Sequence, residues 1–174
     1  SKETTIQLNT TDAALVRDMC HAAYKVWNIC NYERKNYQSL GLEQFPGYYD
    51  QKKRLKGEFW YKRLPSQTAQ YVIHDLDGAW KSYFALLTSD KDSVVNPHPP
   101  KYKQEPMSIV YIQNGISHAA GSAACQLSIA LSVRKEMKEK EGVRAYHICL
   151  ENVLFLAIQH LQNLFLLRFY RNNC

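Results

Sequence analysis

The chain has no run of 18 apolar residues, so the sequence gives no reason to expect a transmembrane helix. It has no paired CxxC. Its five cysteines, Cys20, Cys30, Cys125, Cys149 and Cys174, stand singly. A structural zinc site draws four ligands from short paired spacings, so none is expected, and free buried thiols in a reducing cytosol are. The six histidines are equally scattered, and His74 reads as a surface side chain of a helix. Seven glycines and six prolines among 174 residues are too few for collagen or low-complexity sequence. No internal repeat is visible, and the opening SKETTIQ carries no charged-then-apolar leader, so no signal peptide is expected.

What is present is a globular composition, 45% apolar and 22% charged. A chain of this length buries roughly two-thirds of its unfolded surface. Its net charge of +6 is unevenly spread. Residues 51–66 hold Lys52, Lys53, Arg54, Lys56, Lys62 and Arg63 against the single Glu58, with Phe59, Trp60 and Tyr61 among them. Cations beside planar rings suit a phosphate backbone with unstacked bases. A solvated helix anchored to the core by three aromatics also fits.

Residues 4–9 alternate weakly and read as a short strand. Thr10 or Thr11 then caps a helix over about 11–38, whose apolar stripe is Leu15, Met19, Ala22, Ala23, Val26, Trp27 and Cys30. Gly41, Pro46 and Gly47 end it, and 48–63 reads as a second helix. Pro65 and Ser66 open a third, where the missing proline N–H costs little. Ala69, Val72, Ile73, Leu76, Trp80, Tyr83 and Phe84 form its apolar face, and Gln67, Gln70, His74, Asp77 and Lys81 the opposite one. Trp27 and Trp80 therefore read as core. Gln67 and Gln70 lie one turn apart, where they face either a groove or water.

Residues 88–106 form a connector holding four of the six prolines. Beyond it, 108–116, 126–132 and 144–152 read as strands, with a turn at Asn114-Gly115. Residues 133–142 read as a short charged helix stopped by Gly142. The last stretch fits two strands or one amphipathic helix. The expected fold is α+β, a three-helix bundle inserted into a small β-barrel-like sheet.

Several segments in order carry a likeness. They are the strand ending Asn-Thr-Thr, Val26-Trp27-Asn28, and LPSQTAQYVIHDLDGAWKSYF at 64–84 with Gln70, Leu76, Ala79, Trp80, Lys81, Tyr83 and Phe84. Pro100-Lys101-Tyr102-Lys103, Ser108–Ile116 and LSIALSVRKEMKEKEG at 127–142 follow. In this order, residues 3–151 resemble the N-terminal region of the TnpB (OrfB) family of transposon-encoded RNA-guided nucleases, relatives of compact type V CRISPR effectors. The final 23 residues match less clearly.

The resemblance implies a first wedge strand at 1–9, a helical recognition bundle at 10–88, a linker at 89–106 and a β-rich wedge domain at 107–174. It implies binding of a guide RNA scaffold and of a short target-adjacent motif in double-stranded DNA, beside a separate or C-terminal RuvC nuclease portion. The RuvC acidic triad and the zinc ribbon of the family are not found among these residues. Two-metal phosphodiester chemistry needs converging carboxylates, so binding without cutting is expected of this chain, with no cofactor. Ser66, Gln67, Gln70, Gln113 and Asn114 are the residues expected to read the motif, since Gln and Asn match an adenine edge. Lys52, Lys53, Arg54, Lys56, Lys62 and Arg63 are expected on phosphates, and Lys101, Tyr102 and Lys103 on RNA. The expected compartment is the cytoplasm, at the nucleoid in a prokaryote. The alternatives are a stand-alone repressor module without nuclease and a protein–protein adaptor.

Overall fold

A computed structural model describes residues 8–89, 96–112, 115–118, 125–142, 146–150 and 167–169. Helix α1 spans Thr10–Lys35, α2 Tyr48–Leu55, α3 Phe59–Lys62, α4 Ser66–Ser89 and α5 Leu131–Glu141. Strands β1 (Ile109–Tyr111), β2 (Ile116–His118), β3 (Cys125–Leu127), β4 (Ile148–Leu150) and β5 (Leu167–Phe169) are three residues each. The fold is mixed α+β. No described helix is long and apolar enough to cross a membrane.

Helix α1 starts one residue before the expected caps. Asn9 caps it, its side-chain oxygen accepting from the Asp12 N–H over 2.8 Å while its amide donates to the Asp12 carboxylate. This reciprocal pair satisfies an orphan N–H better than a lone threonine hydroxyl would. Leu8 and Asn9, the described end of the expected first strand, are therefore not strand; residues 4–7 of it lie outside the described residues.

The basic segment folds as two helices rather than one. A straight helix would place Tyr61 about 240° round from Leu55. Leu55, Tyr61 and Leu64 are all buried, and the break at Lys56-Gly57-Glu58 lets each reach the core. Gly57, a poor helix former, lies in that gap.

Helices α1 and α4 pack along their apolar stripes, and Val26, Trp27, Ile73, Leu76 and Trp80 are buried between them. The α4 stripe ends earlier than expected, because Phe84 is 42% exposed. Asp77 departs further. The helical period puts it on the solvated face, but it is buried and faces Arg34, which is 2% exposed. Arg34 donates to Asp77 over 2.9 Å and to Gln51 over 2.8 Å, and Gln51 in turn donates to the Cys30 carbonyl. Each of these buried polar side chains has a partner, which is what makes its burial tolerable.

The same core continues into the second half through Ile109, Tyr111, Leu127, Ile129, Ile148 and Leu150. Strands β2, β3 and β4 form an antiparallel sheet in that order, with Ile116 opposite Leu127 and Leu127 opposite Ile148. Strand β1 pairs antiparallel with β5, Ile109 opposite Phe169. The expected barrel-like closure is not found. The described strands form two separate short sheets, and three-residue strands are too short to wrap round a closed circuit.

The expected strand at 126–132 is replaced after Leu127 by a turn into α5, because Ile129, Ala130 and Val133 are needed in the core. Gly142 ends α5 at φ 69°, the left-handed stop read from the sequence. At the Asn114-Gly115 position, Gly115 lies so close to Tyr111 that a Cβ would come within 3.0 Å of its ring. Cys20 and Cys30 are buried, as expected. Cys149 is exposed instead, because β4 turns Ile148 and Leu150 inward and the residue between them outward.

Candidate nucleic-acid interface

Ser66, Gln67 and Gln70 do open α4. Ser66 is exposed, and Gln67 and Gln70 are half-buried. Gln70 lies near the Tyr61 side chain on α3 and tends to lower its pKa. One turn on, the exposed His74 packs against Tyr48 of α2, ring centroids 5.9 Å apart, and against Tyr71. The Lys52 ammonium lies 5.7 Å from the Tyr48 ring, and the adjoining Tyr49 is 79% exposed. The His74–Tyr48 ring contact thus links the front of α4 to the near side of α2. Burial pushes the Tyr48 and Tyr61 hydroxyls above the ordinary phenol range, so both remain protonated donors at neutral pH. Gln113 and Asn114 lie outside the described residues.

The six cations of the basic segment divide. Arg54 is held by Glu33 of α1 through two hydrogen bonds of 3.1 and 2.7 Å, which raise its pKa. Arg63 is half-buried, donates to Asp18 of α1 over 2.7 Å and grips Glu136 of α5 through both carboxylate oxygens at 2.8 Å. Burial alone would lower the Arg63 pKa, but these two acids outweigh it and raise it. The geometry therefore commits both guanidinium groups to joining helices. Lys52, Lys53, Lys56 and Lys62 form no ion pair with a described residue, and the last three are exposed.

The proline-rich connector is packed rather than free over 96–106. The Trp27 indole N–H donates to the Lys101 carbonyl over 3.1 Å, and the Asn31 amide to the Pro100 carbonyl over 2.9 Å. Asn28 makes a two-way pair with the Lys103 backbone, 2.8 Å each way. This strap holds Lys101, Tyr102 and Lys103 outward against α1. Lys35 sits 4.6 Å from the Tyr102 ring, and Lys103 sits 4.6 Å from that of Trp27. An open cleft of about 790 Å³ lies between strap and α4, lined by Trp27, Tyr83, Lys101, Tyr102 and Lys103.

No family model matches the chain, and no curated protein matches it.

Reading from sequence missed Lys25, Lys35, Tyr48 and His21 as parts of this surface. Lys25 lies 4.9 Å from the Tyr24 ring and 5.9 Å from that of Trp60, and His21 packs on both rings. A signal was there. His21, Lys25, Asn28, Tyr32 and Lys35 recur at three- and four-residue steps on the side of α1 away from its apolar stripe. Among the described residues no cluster of His, Cys, Asp and Glu could hold a metal ion. Four of the five described aspartates have structural partners: Asp12 takes the Tyr146 hydroxyl, Asp18 Arg63, Asp50 the Gly47 N–H and Asp77 Arg34.

Proposed function

We propose that this chain binds nucleic acid, as the recognition-and-wedge part of a TnpB-like RNA-guided DNA-targeting protein. One observation supports this reading above the rest. Lys25, Lys35, Lys52 and Lys103 each stand beside an aromatic ring and form no ion pair with a described residue, while Arg34, Arg54 and Arg63 are held by carboxylates. Unpaired cations flanking rings match a polyanion that offers both phosphates and base faces. Lys52, Lys53, Lys56 and Lys62 would contact phosphates. Lys101, Tyr102 and Lys103, presented by the strap, would contact the guide RNA. Ser66, Gln67 and Gln70 would meet base edges of the target-adjacent duplex. Guide RNA and double-stranded DNA are the partners in this reading, and a RuvC portion elsewhere would do the cutting.

The test is salt-dependent binding of the purified chain to a structured RNA and to duplex DNA. The expected result is affinity that falls linearly with the logarithm of salt concentration, with RNA of one discrete size copurifying. Negligible affinity for both at low salt would falsify the reading. Clean protein that protects one duplex motif would favour the repressor module instead.

A further inference from the structure

Phe59 is 60% exposed although it lies beside a well-packed Trp60 and Tyr61. Burying such a ring would stabilise the fold, so its position on the surface forgoes that stabilisation. The ring is also held in place. Trp60 meets it edge-on with centroids 4.9 Å apart, and the Arg63 guanidinium lies 6.0 Å from its centroid. Arg63 is itself fixed by Asp18 and Glu136. The Ser132 hydroxyl donates to the Lys62 carbonyl over 2.6 Å, which ties α3 to α5. An aromatic ring that is exposed and also braced loses little entropy when something stacks on it.

Charge surrounds it. Lys56 precedes it by three residues and Lys62 follows it by three, both exposed. Lys25 reaches the neighbouring Trp60 from α1. None of the three forms an ion pair with a described residue. Glu58, also exposed, is the one carboxylate next to Phe59 in the chain.

We infer that Phe59, with Lys25, Lys56 and Lys62, is a stacking platform for an unpaired base of a single-stranded polynucleotide. The base lies on the ring and the flanking phosphates meet the lysines. A duplex does not fit, because its base faces are covered by their own neighbours. An acidic peptide would satisfy the lysines but leave the ring unused. This inference rests on the nucleic-acid reading and adds a site that Ser66, Gln67, Gln70 and the strap do not include.

The experiment compares the full chain with Phe59→Ala, Phe59→Tyr, Lys25→Gln and Glu58→Gln. Each is titrated with a labelled oligo-uridine strand and with a blunt DNA duplex at one low salt concentration. Phe59→Ala should weaken oligo-uridine binding by on the order of tenfold or more and leave duplex binding unchanged. Phe59→Tyr should retain it, because the ring face persists. Lys25→Gln should weaken binding, and Glu58→Gln should strengthen it. Because Phe59 is exposed, the thermal midpoint of Phe59→Ala should match the parent. Wild-type binding of oligo-uridine that Phe59→Ala leaves intact, or an equal loss on strand and duplex, overturns the platform alone. A wild-type chain that binds neither probe overturns the nucleic-acid reading as well.

Discussion

The indole N–H of Trp27 donates to the carbonyl oxygen of Lys101 across 74 positions of the chain, over 3.1 Å. With Asn28 and Asn31 it lays the strap along α1, so one helix both fills the core and sets the position of three candidate RNA-binding residues. Trp27→Phe keeps a buried ring and removes the donor. Losing one such bond costs about 1 kcal/mol, so local opening of the strap should become about fivefold more frequent. Trypsin cleavage after Lys101 and Lys103 reads that opening. An unchanged cleavage rate would mean the strap is held elsewhere.

Arg63 and the lysines of the basic segment should separate in experiment. Arg63→Gln removes the join between α1, α3 and α5. The pair is only partly buried, so the expected loss is about 1–2 kcal/mol, a drop of roughly 3–6 °C in thermal midpoint. Affinity for duplex DNA should hardly change, since Phe59, the ring that Arg63 braces, is assigned to unpaired bases. Replacing Lys52, Lys53 and Lys56 with glutamine should do the reverse. Stability is kept, affinity falls for every sequence, and the salt slope shrinks by about one unit for each phosphate no longer neutralised. Should Arg63→Gln abolish binding in a folded protein, the guanidinium is not reserved for the fold as argued.

Asp77 gives the acid sensitivity of the helical half. Burial pushes its carboxyl up, but the hydrogen bonds and charges of Lys81 and Arg34 outweigh this and hold it below the ordinary range. A depressed carboxylate stabilises the fold fully above its unfolded pKa, about 4, and that contribution fades as pH falls through the folded value. Asp77→Asn should therefore cost stability at neutral pH, about 1.4 kcal/mol for each unit by which the carboxyl is depressed, because Arg34 is left buried without its counter-ion. The gap between variant and parent should start to narrow as pH falls below about 4 and close only below the depressed pKa of the folded-state carboxyl. Chemical denaturation across that range measures both, and a constant gap down to strongly acid pH would exclude this pair as the cause.

Gln70 tests the front of α4. Gln70→Ala should lower discrimination between a matched and a scrambled duplex by about 1–3 kcal/mol, with little change in nonspecific affinity. Competition binding against both duplexes gives the ratio. Equal discrimination by variant and parent would remove Gln70 from motif reading.

The helices were legible because their information is local. The stripe from Leu15 to Cys30, the opening of α4 at Pro65-Ser66 and the left-handed stop at Gly142 follow from spacings within a few residues. The basic segment misled for the same reason. Its composition favours one helix, whereas burying both Leu55 and Tyr61 requires two. The strands were harder, since each described strand is three residues long and the pairings of β1 with β5 and of β3 with β4 are remote in sequence. The front of α4 was legible as a polar face at a helix start. That Tyr48 joins it was not, because α2 and α4 meet only after folding.

By itself the sequence determined the helical periods, the opening of α4 and the stop of α5, and that positive charge gathers near residues 51–66. Tertiary structure alone decided which of those charges remain available. Arg63 finds its acids 45 and 73 positions away, Arg54 finds its own 21 positions away, and Arg34 finds Asp77 across the bundle. A cation's freedom depends on what folding brings within a few ångströms of it, and neighbours along the chain do not record that.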